Sequence, residues 1–216
     1  LSVEPWNKTA FHIAIEYCLL ETIPHFILTK EQAAAKDADG RNAWHYAAAQ
    51  LAPSTVTLFE KLEQFDVPIV HNSLGQNPLH VAVNAEITGS ADAFLDPIEW
   101  LLQKDDVSAK DGGGRTALHY AFVKKDGKYE DVTVEKKDPI AVVSLLLNAM
   151  NPKTIQTHDS EGNTALHLAA MANANICAVS MLAKGAEVDA KNNDSNTPLA
   201  IALLFKSQAI ALTLIQ

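Results

Sequence analysis

The 216-residue sequence is poor in the features that define several large classes of protein. It has only two cysteines, Cys18 and Cys177, which lack the paired spacing of a zinc site and are too few for a disulfide framework. No apolar run approaches the roughly 20 residues that a membrane-spanning helix needs. The N-terminal residues do not have the pattern of a signal peptide. We therefore expect an intracellular protein of the cytoplasm or nucleus, without a membrane partner.

Basic residues are also scarce, with 17 Lys and Arg against 26 Asp and Glu and a net charge of −9. Nucleic acids and anionic membranes both select clustered positive charge, because binding releases their counterions. The composition therefore disfavours direct binding to nucleic acid and leaves a protein or peptide as the expected partner. Arginine is the rarest basic residue and occurs only as Arg41 and Arg115.

What the sequence does contain is a short block that recurs six times. Its clearest copy is Asp159-Ser-Glu-Gly162-Asn-Thr164-Ala-Leu-His167, after which a second apolar segment ends at Lys184-Gly185. The Thr is a helix N-cap residue. Gly162 permits the tight turn before the helix, and Gly185 permits the left-handed backbone that ends the second one. The cap positions are Thr9, Asn42, Asn77, Thr116, Thr164 and Thr197, separated by 33, 35, 39, 48 and 33 residues.

A period of about 33 residues with a turn and two helices is typical of ankyrin repeats, and the sequence resembles that family over nearly its whole length. The resemblance implies an all-α ankyrin-repeat solenoid of six helix-turn-helix repeats joined by β-turns. Asn7 and Ser195 replace the turn glycine in the outer repeats, and Ala200 replaces the last histidine. We expect a single domain over 1–216, cut from a larger protein, with repeats at about 3–35, 36–70, 71–109, 110–157, 158–190 and 191–216.

Repeats 3 and 4 carry insertions between their two helices. They exceed the consensus by about six residues after Val83 and by about 15 residues around 124–137. Both second helices restart at Asp-Pro-Ile, at Asp96 and at Asp138, with Asp as the expected N-cap and Pro at the first helical position. The second loop is interpreted either as a solvated excursion or as a partner-contacting loop.

Five of the eight histidines occupy the fourth position of the block. Packed helices lie about 10 Å apart, whereas metal ligands lie about 2 Å from their ion, so the pattern does not predict a metal site. The resemblance implies a structural role, in which these histidines bind the backbone and the cap hydroxyl. The structural turn and cap residues are predicted to be Gly40, Gly75, Gly114, Gly162, His45, His80, His119 and His167.

No arrangement of residues in the sequence predicts catalysis. No serine or cysteine can be assigned to a base, and both cysteines lie among apolar neighbours. The glycines at 112–114 lack the Lys-Ser/Thr of a phosphate-binding loop. We expect a segment with no catalytic residue, no cofactor and no enzymatic activity.

The turns and first helices line the concave face of such repeat arrays, and we expect a partner to bind there. Arg41 and Arg115 both precede a cap residue. Tyr46 and Tyr120 follow the histidine and are expected to offer aromatic contact area. The predicted partner-binding residues are Arg41, Tyr46, Gln50, Gln76, Asn84, Arg115, Tyr120, Lys124 and Asn163.

Three stretches resemble the ankyrin segment of large poly(ADP-ribose) polymerases of the tankyrase kind. They are Arg115-Thr-Ala-Leu-His-Tyr-Ala-Phe-Val123, Asp138-Pro-Ile140 and Asn196-Thr-Pro-Leu-Ala-Ile201. This resemblance implies a substrate-recruiting or regulatory arm of an NAD-dependent ADP-ribosyltransferase, nuclear in one interpretation, whose transferase domain lies outside the segment. The leading hypothesis is a non-catalytic, monomeric protein-interaction module, and a structural spacer is the third.

Overall fold

A computed structural model describes residues 7–17, 29–52, 54–85, 95–123 and 139–215. The predicted second helix of repeat 1, most of the first insertion and all of the second lie outside these residues, as do Cys18 and Lys124. The described residues form helices and turns without a strand, and the predicted all-α class is confirmed. The chain divides into two compact units, Leu1–Asp105 and Asp106–Gln216, which are described separately.

The first unit contains the described helices of repeats 1 to 3. Its described helices are α1 (Ala10–Glu16), α2 (Lys30–Ala34), α3 (Ala43–Gln50), α4 (Thr55–Gln64), α5 (Pro78–Asn84) and α6 (Leu95–Lys104). The first helices stack, because α3 contacts both α1 and α5, and the second helices α4 and α6 contact each other. This stacking buries the apolar faces that a single helix pair leaves exposed.

Each first helix of this unit begins directly after its predicted cap. Thr9 Oγ1 accepts the N–H of His12 (3.3 Å), and Asn77 Oδ1 accepts the N–H of His80 (3.0 Å). The expected N-cap at Asp96 is wrong, because α6 begins at Leu95 and places Asp96 in its first turn. A carboxylate there still faces the positive end of the helix dipole.

An aromatic cluster forms the core between repeats 2 and 3. Trp44 is 2% exposed, and its ring centroid lies 5.4 Å from that of Phe59 and 5.4 Å from that of Trp100. Its indole N–H donates to the carbonyl of Val67 at 2.9 Å. The indole thereby fills the space between helices while its polar atom is satisfied.

The second unit contains the described helices of repeats 4 to 6. They are α7 (Ala117–Tyr120), α8 (Pro139–Ala149), α9 (Pro152–Ile155), α10 (Ala165–Met171), α11 (Asn175–Ala183), α12 (Pro198–Leu204) and α13 (Gln208–Ile215). Helix α10 contacts α7 and α12, and α11 contacts α8 and α13. The short α9 was not predicted, although Asn151-Pro152 is a cap followed by proline at the first helical position.

Candidate partner-binding site

In repeats 2 to 6, the turn that precedes the cap is folded by an Asp or Asn side chain. In the first unit Asp37 Oδ1 accepts the N–H groups of Asp39 (2.9 Å) and Arg41 (2.8 Å). The same atom of Asp111 accepts the N–H of Arg115 (2.8 Å) in the second unit. The side chain before the cap therefore projects from a fixed backbone. The folding side chains are Asp37, Asn72, Asp111, Asp159 and Asn192.

The residue before that projecting side chain has a left-handed backbone. Gly40 and Gly162 have φ of 74° and 75°, and the residues that replace glycine at this position, Asn7 and Ser195, have φ of 56° and 63°. A side chain in this conformation is strained, because Cβ approaches the following carbonyl. The turn geometry is thus retained at the cost of strain where glycine is missing.

Within each unit the turns bond to one another. The N–H of Ser73 donates to the carbonyl of Asp39 at 2.8 Å, and the N–H of Ser160 donates to the carbonyl of Gly113 at 2.7 Å. The N–H of Asn193 continues this pattern by donating to the carbonyl of Glu161 at 3.0 Å. Each unit therefore presents its turn tips as a connected row.

Three block histidines, His45, His119 and His167, connect their helix to the next turn. In repeat 2, His45 Nδ1 accepts the N–H of Asn42 (3.3 Å), and Nε2 donates to the carbonyl of Gln76 (3.1 Å). Nε2 of His119 and of His167 donates in the same way to the carbonyls that precede the next caps, at 3.2 Å and 3.0 Å. Nδ1 accepts a backbone N–H, so each ring is the neutral Nε2–H tautomer.

Burial keeps these rings neutral. Loss of solvent lowers the pKa of His45 and of His119 to about 4, although the carbonyl bonds and nearby carboxylates oppose the change. Burial also lowers the pKa of His12 and His167. These histidines serve as hydrogen-bonding parts of the scaffold. Among the described residues, no three His, Cys, Asp or Glu side chains are grouped as metal ligands.

The two predicted aromatic contacts are buried, and the expectation that they offer exposed ring area is wrong. Tyr46 and Tyr120 are each 6% exposed. The hydroxyl of Tyr46 donates to Asp37 Oδ2 at 2.7 Å, and that of Tyr120 donates to Asp111 Oδ2 at 2.6 Å. Burial and the bond to Asp37 raise the pKa of Tyr46. Both tyrosines are thus buried and hydrogen-bonded to the aspartate that folds the turn.

Asn163 is likewise only 1% exposed, so it is not a surface contact. Its Oδ1 accepts from Asn192 Nδ2 (2.9 Å), and its Nδ2 donates to Glu161 Oε2 (3.2 Å). The residue is enclosed because the turn of repeat 6 packs over it. Lys124 lies outside the described residues and stays a prediction.

The remaining predicted contacts are half-buried. In the first unit, Gln50 Nε2 donates to the carbonyl of Glu16 at 3.0 Å, and Gln76 Oε1 accepts from Asn72 Nδ2 at 2.9 Å. The Gln50 amide therefore connects repeats 1 and 2, whereas the Gln76 amide bonds within its own turn. Those with part of the side chain accessible are Arg41, Gln50, Gln76 and Asn84 in the first unit and Arg115 in the second.

Beside Arg41 the first unit has a cleft of about 150 Å³. Lys8 and Arg41 line it together with Asp37, Asp39 and Tyr46. Lys8 Nζ lies 5.5 Å from the ring centroid of Tyr46 and forms a 2.7 Å ion pair with Glu16. Sequence reasoning missed Lys8, although it precedes the Thr9 cap as Arg41 precedes Asn42.

Comparison with known proteins identifies the repeats. Residues 131–216 match a family model described as ankyrin repeats in three copies, and the turns and caps above recur in the earlier repeats. Residues 131–216 therefore belong to the ankyrin-repeat family. Ankyrin repeats are non-catalytic protein-interaction modules. No described helix is long and apolar enough to cross a membrane.

Three relatives show where such segments occur. The chain is 44% identical over 211 residues to the poly [ADP-ribose] polymerase tankyrase of Caenorhabditis elegans, a match over 97% of this chain and 9% of the relative. It is 32% identical to the nuclear factor NF-kappa-B p105 subunit of Rattus norvegicus, over 75% of this chain and 15% of the relative. It is 30% identical to the B-cell lymphoma 3 protein homolog of Mus musculus, over 91% of this chain and 40% of the relative. The chain therefore spans less than half the length of each of these relatives.

Proposed function

We propose that this ankyrin segment recruits a protein or peptide through the row of side chains that precede the helix caps. Arg41 and Gln76 are the proposed contacts in the first unit, and Arg115 is the contact in the second. Gln50 and Asn84, at the other ends of their helices, flank the row in the first unit. The compartment is proposed to be intracellular, in cytoplasm or nucleus.

The observation that supports this proposal is the rigid backbone under the row. The N–H of Arg41 donates to Asp37 Oδ1, while its carbonyl accepts the N–H of Asp37 at 2.9 Å. Arg115 is held by Asp111 in the same two ways. Side chains on a fixed backbone lose less conformational entropy when a partner binds. Their chemistry varies between repeats, which suits specific recognition on a constant scaffold.

A pull-down with matched variants tests this proposal. The triple variant Arg41→Ala, Gln76→Ala, Arg115→Ala is compared with the control Lys61→Ala, Gln103→Ala, Lys153→Ala. The control removes similar side chains or charges from helices instead of from the turns. We expect the first variant to lose captured partners by tenfold or more, since central polar contacts cost about 2 kcal/mol or more when truncated. Equal recovery by both variants would exclude the row as the binding site.

A second, more specific function is favoured by the similarity to tankyrase over 97% of the chain. In this proposal the segment is a substrate-recruiting or regulatory arm of a tankyrase-like poly(ADP-ribose) polymerase. The full-length protein, incubated with labelled NAD and a captured partner, should modify that partner, and the row variant should reduce the labelling. Equal labelling of the partner with and without the row substitutions would reject the recruiting role.

A further inference from the structure

We propose that the cleft of the first unit binds a carboxylate of a partner peptide, and that Arg41 is the residue that pairs with it. This inference rests on the proposed recruiting function and specifies the chemistry of one contact. It comes from a comparison of two arginines that occupy the same repeat position but face different residues of the following turn.

In the second unit, the chain itself supplies the carboxylate. Arg115 Nε lies 3.9 Å from Asp159 Oδ2, and the Asp159 side chain is fully buried. The backbone explains this approach, because a methyl group added to Gly114 would lie 3.3 Å from Asp159 Cα. The residue that opens the next turn is therefore directly beside the arginine.

In the first unit, the same place holds a neutral side chain. A methyl group added to Gly40 would lie 3.5 Å from Asn72 Cα, so Asn72 corresponds to Asp159. Arg41 forms no ion pair with any residue that the structure describes, which distinguishes it from Arg115. Within that part of the chain the buried Nε of Arg41, like that of Arg115, has no hydrogen-bond acceptor. The Arg41 guanidinium thus has an N–H donor without an acceptor among these residues, and an acceptor from a ligand would satisfy it.

Two of the three acidic groups around the cleft, Asp37 and Glu16, have other partners. Asp37 Oδ1 accepts two backbone N–H groups and Oδ2 accepts the Tyr46 hydroxyl. Glu16 pairs with Lys8. Asp39 is exposed on the turn tip and repels an incoming anion, so Asp39→Asn should tighten binding.

The planar guanidinium fork favours a carboxylate, because both can form two parallel hydrogen bonds. Lys8, which also lines the cleft, adds a second cation. An aspartate or glutamate side chain of a bound peptide supplies this group, and phosphate provides the alternative that the experiment must exclude.

The arginine Nε–H signals in ¹H–¹⁵N NMR spectra report this contact directly. The isolated chain is titrated with acetyl-Gly-Glu-Gly-amide, with acetyl-Gly-Gln-Gly-amide and with inorganic phosphate. We expect the Glu peptide to shift the Arg41 signal saturably, with a Kd in the millimolar range at least tenfold below that of the Gln peptide or of phosphate. Equal shifts at Arg41 and Arg115, no saturation, or tighter binding of phosphate would each overturn the proposal.

Two reciprocal variants sharpen the test. Asn72→Asp keeps the Oδ1 acceptor for the turn and places a carboxylate beside Arg41, so affinity for the Glu peptide should fall at least tenfold. Asp159→Asn removes the carboxylate beside Arg115 and should create a new response there. Circular dichroism establishes that both variants fold. If Asn72→Asp binds the Glu peptide unchanged while the pull-down still depends on the row, this inference fails and the proposed function stands.

Discussion

The hydroxyl of Tyr46 donates a 2.7 Å hydrogen bond to Asp37, nine residues earlier, whose other carboxylate oxygen folds the turn. One side chain thus connects the helix to the turn that carries Arg41. Repeat 5 has Leu168 in the position of the tyrosine. There, Asp159 Oδ2 has no hydrogen bond within the described residues and faces Arg115 across 3.9 Å. The tyrosine therefore determines how each carboxylate is satisfied.

Removing this hydroxyl should destabilise the first unit. Tyr46→Phe leaves a buried carboxylate oxygen without its donor, which costs about 1 to 3 kcal/mol. Urea unfolding followed by circular dichroism measures the change. Tyr17→Phe is the control, because Tyr17 is 70% exposed. A Tyr46→Phe variant as stable as the control would show that the bond contributes nothing.

Alanine substitutions at two glycines should differ in cost. At Gly162 an added Cβ would lie 2.6 Å from the N of Asn193, and φ is 75°. At Gly185, φ is 90° but nothing lies within 4 Å. We expect Gly185→Ala to cost about 1 to 2 kcal/mol from backbone strain and Gly162→Ala to cost clearly more, because it also separates two turns. Equal free energies of unfolding would contradict the close contact between the turns.

Glycine should stabilise the turn in which serine has a left-handed backbone. Ser195 has φ of 63°, so Ser195→Gly removes strain of about 1 to 2 kcal/mol and loses part of it to unfolded-chain entropy. A net gain of about 0.5 to 1 kcal/mol is expected. Asn7→Gly should gain less, because Asn tolerates this conformation better. Loss of stability in Ser195→Gly would mean that its side chain contributes more than the strain costs.

The free energy of unfolding should decrease in acid, because the buried histidines take up protons only when the chain unfolds. Their folded-state pKa, about 4 for His45 and His119, lies below the unfolded value of 6.5. Below pH 6.5 the unfolded chain therefore binds protons that the folded chain does not, and stability decreases until about pH 4. Each ring contributes at most about 3 kcal/mol to this loss. Urea unfolding between pH 7 and pH 4.5 should show a shallower slope for His119→Asn than for the parent chain, and identical slopes would contradict this assignment.

The sequence predicted the start of the first helix of each repeat, because a cap residue and a turn glycine act locally. It did not predict burial of Tyr46 or Asn163, because their partners are Asp37 and Asn192, which periodicity does not relate to them. The sequence signal for the buried tyrosines was an Asp nine residues before each of them, which accepts the hydroxyl hydrogen bond. Arg41 lacks the ion pair of Arg115 among the described residues because residue 72 is Asn. Only the structure shows how closely the two turns pack.

Hydrogen exchange of the chain bound to a captured partner tests the central claim most directly. We expect slower amide exchange in residues 37–41, 72–76 and 111–115 on binding, with α4 and α11 unchanged as internal controls. Protection confined to α4, α11 or α13, with the turns exchanging as in the free chain, would contradict it.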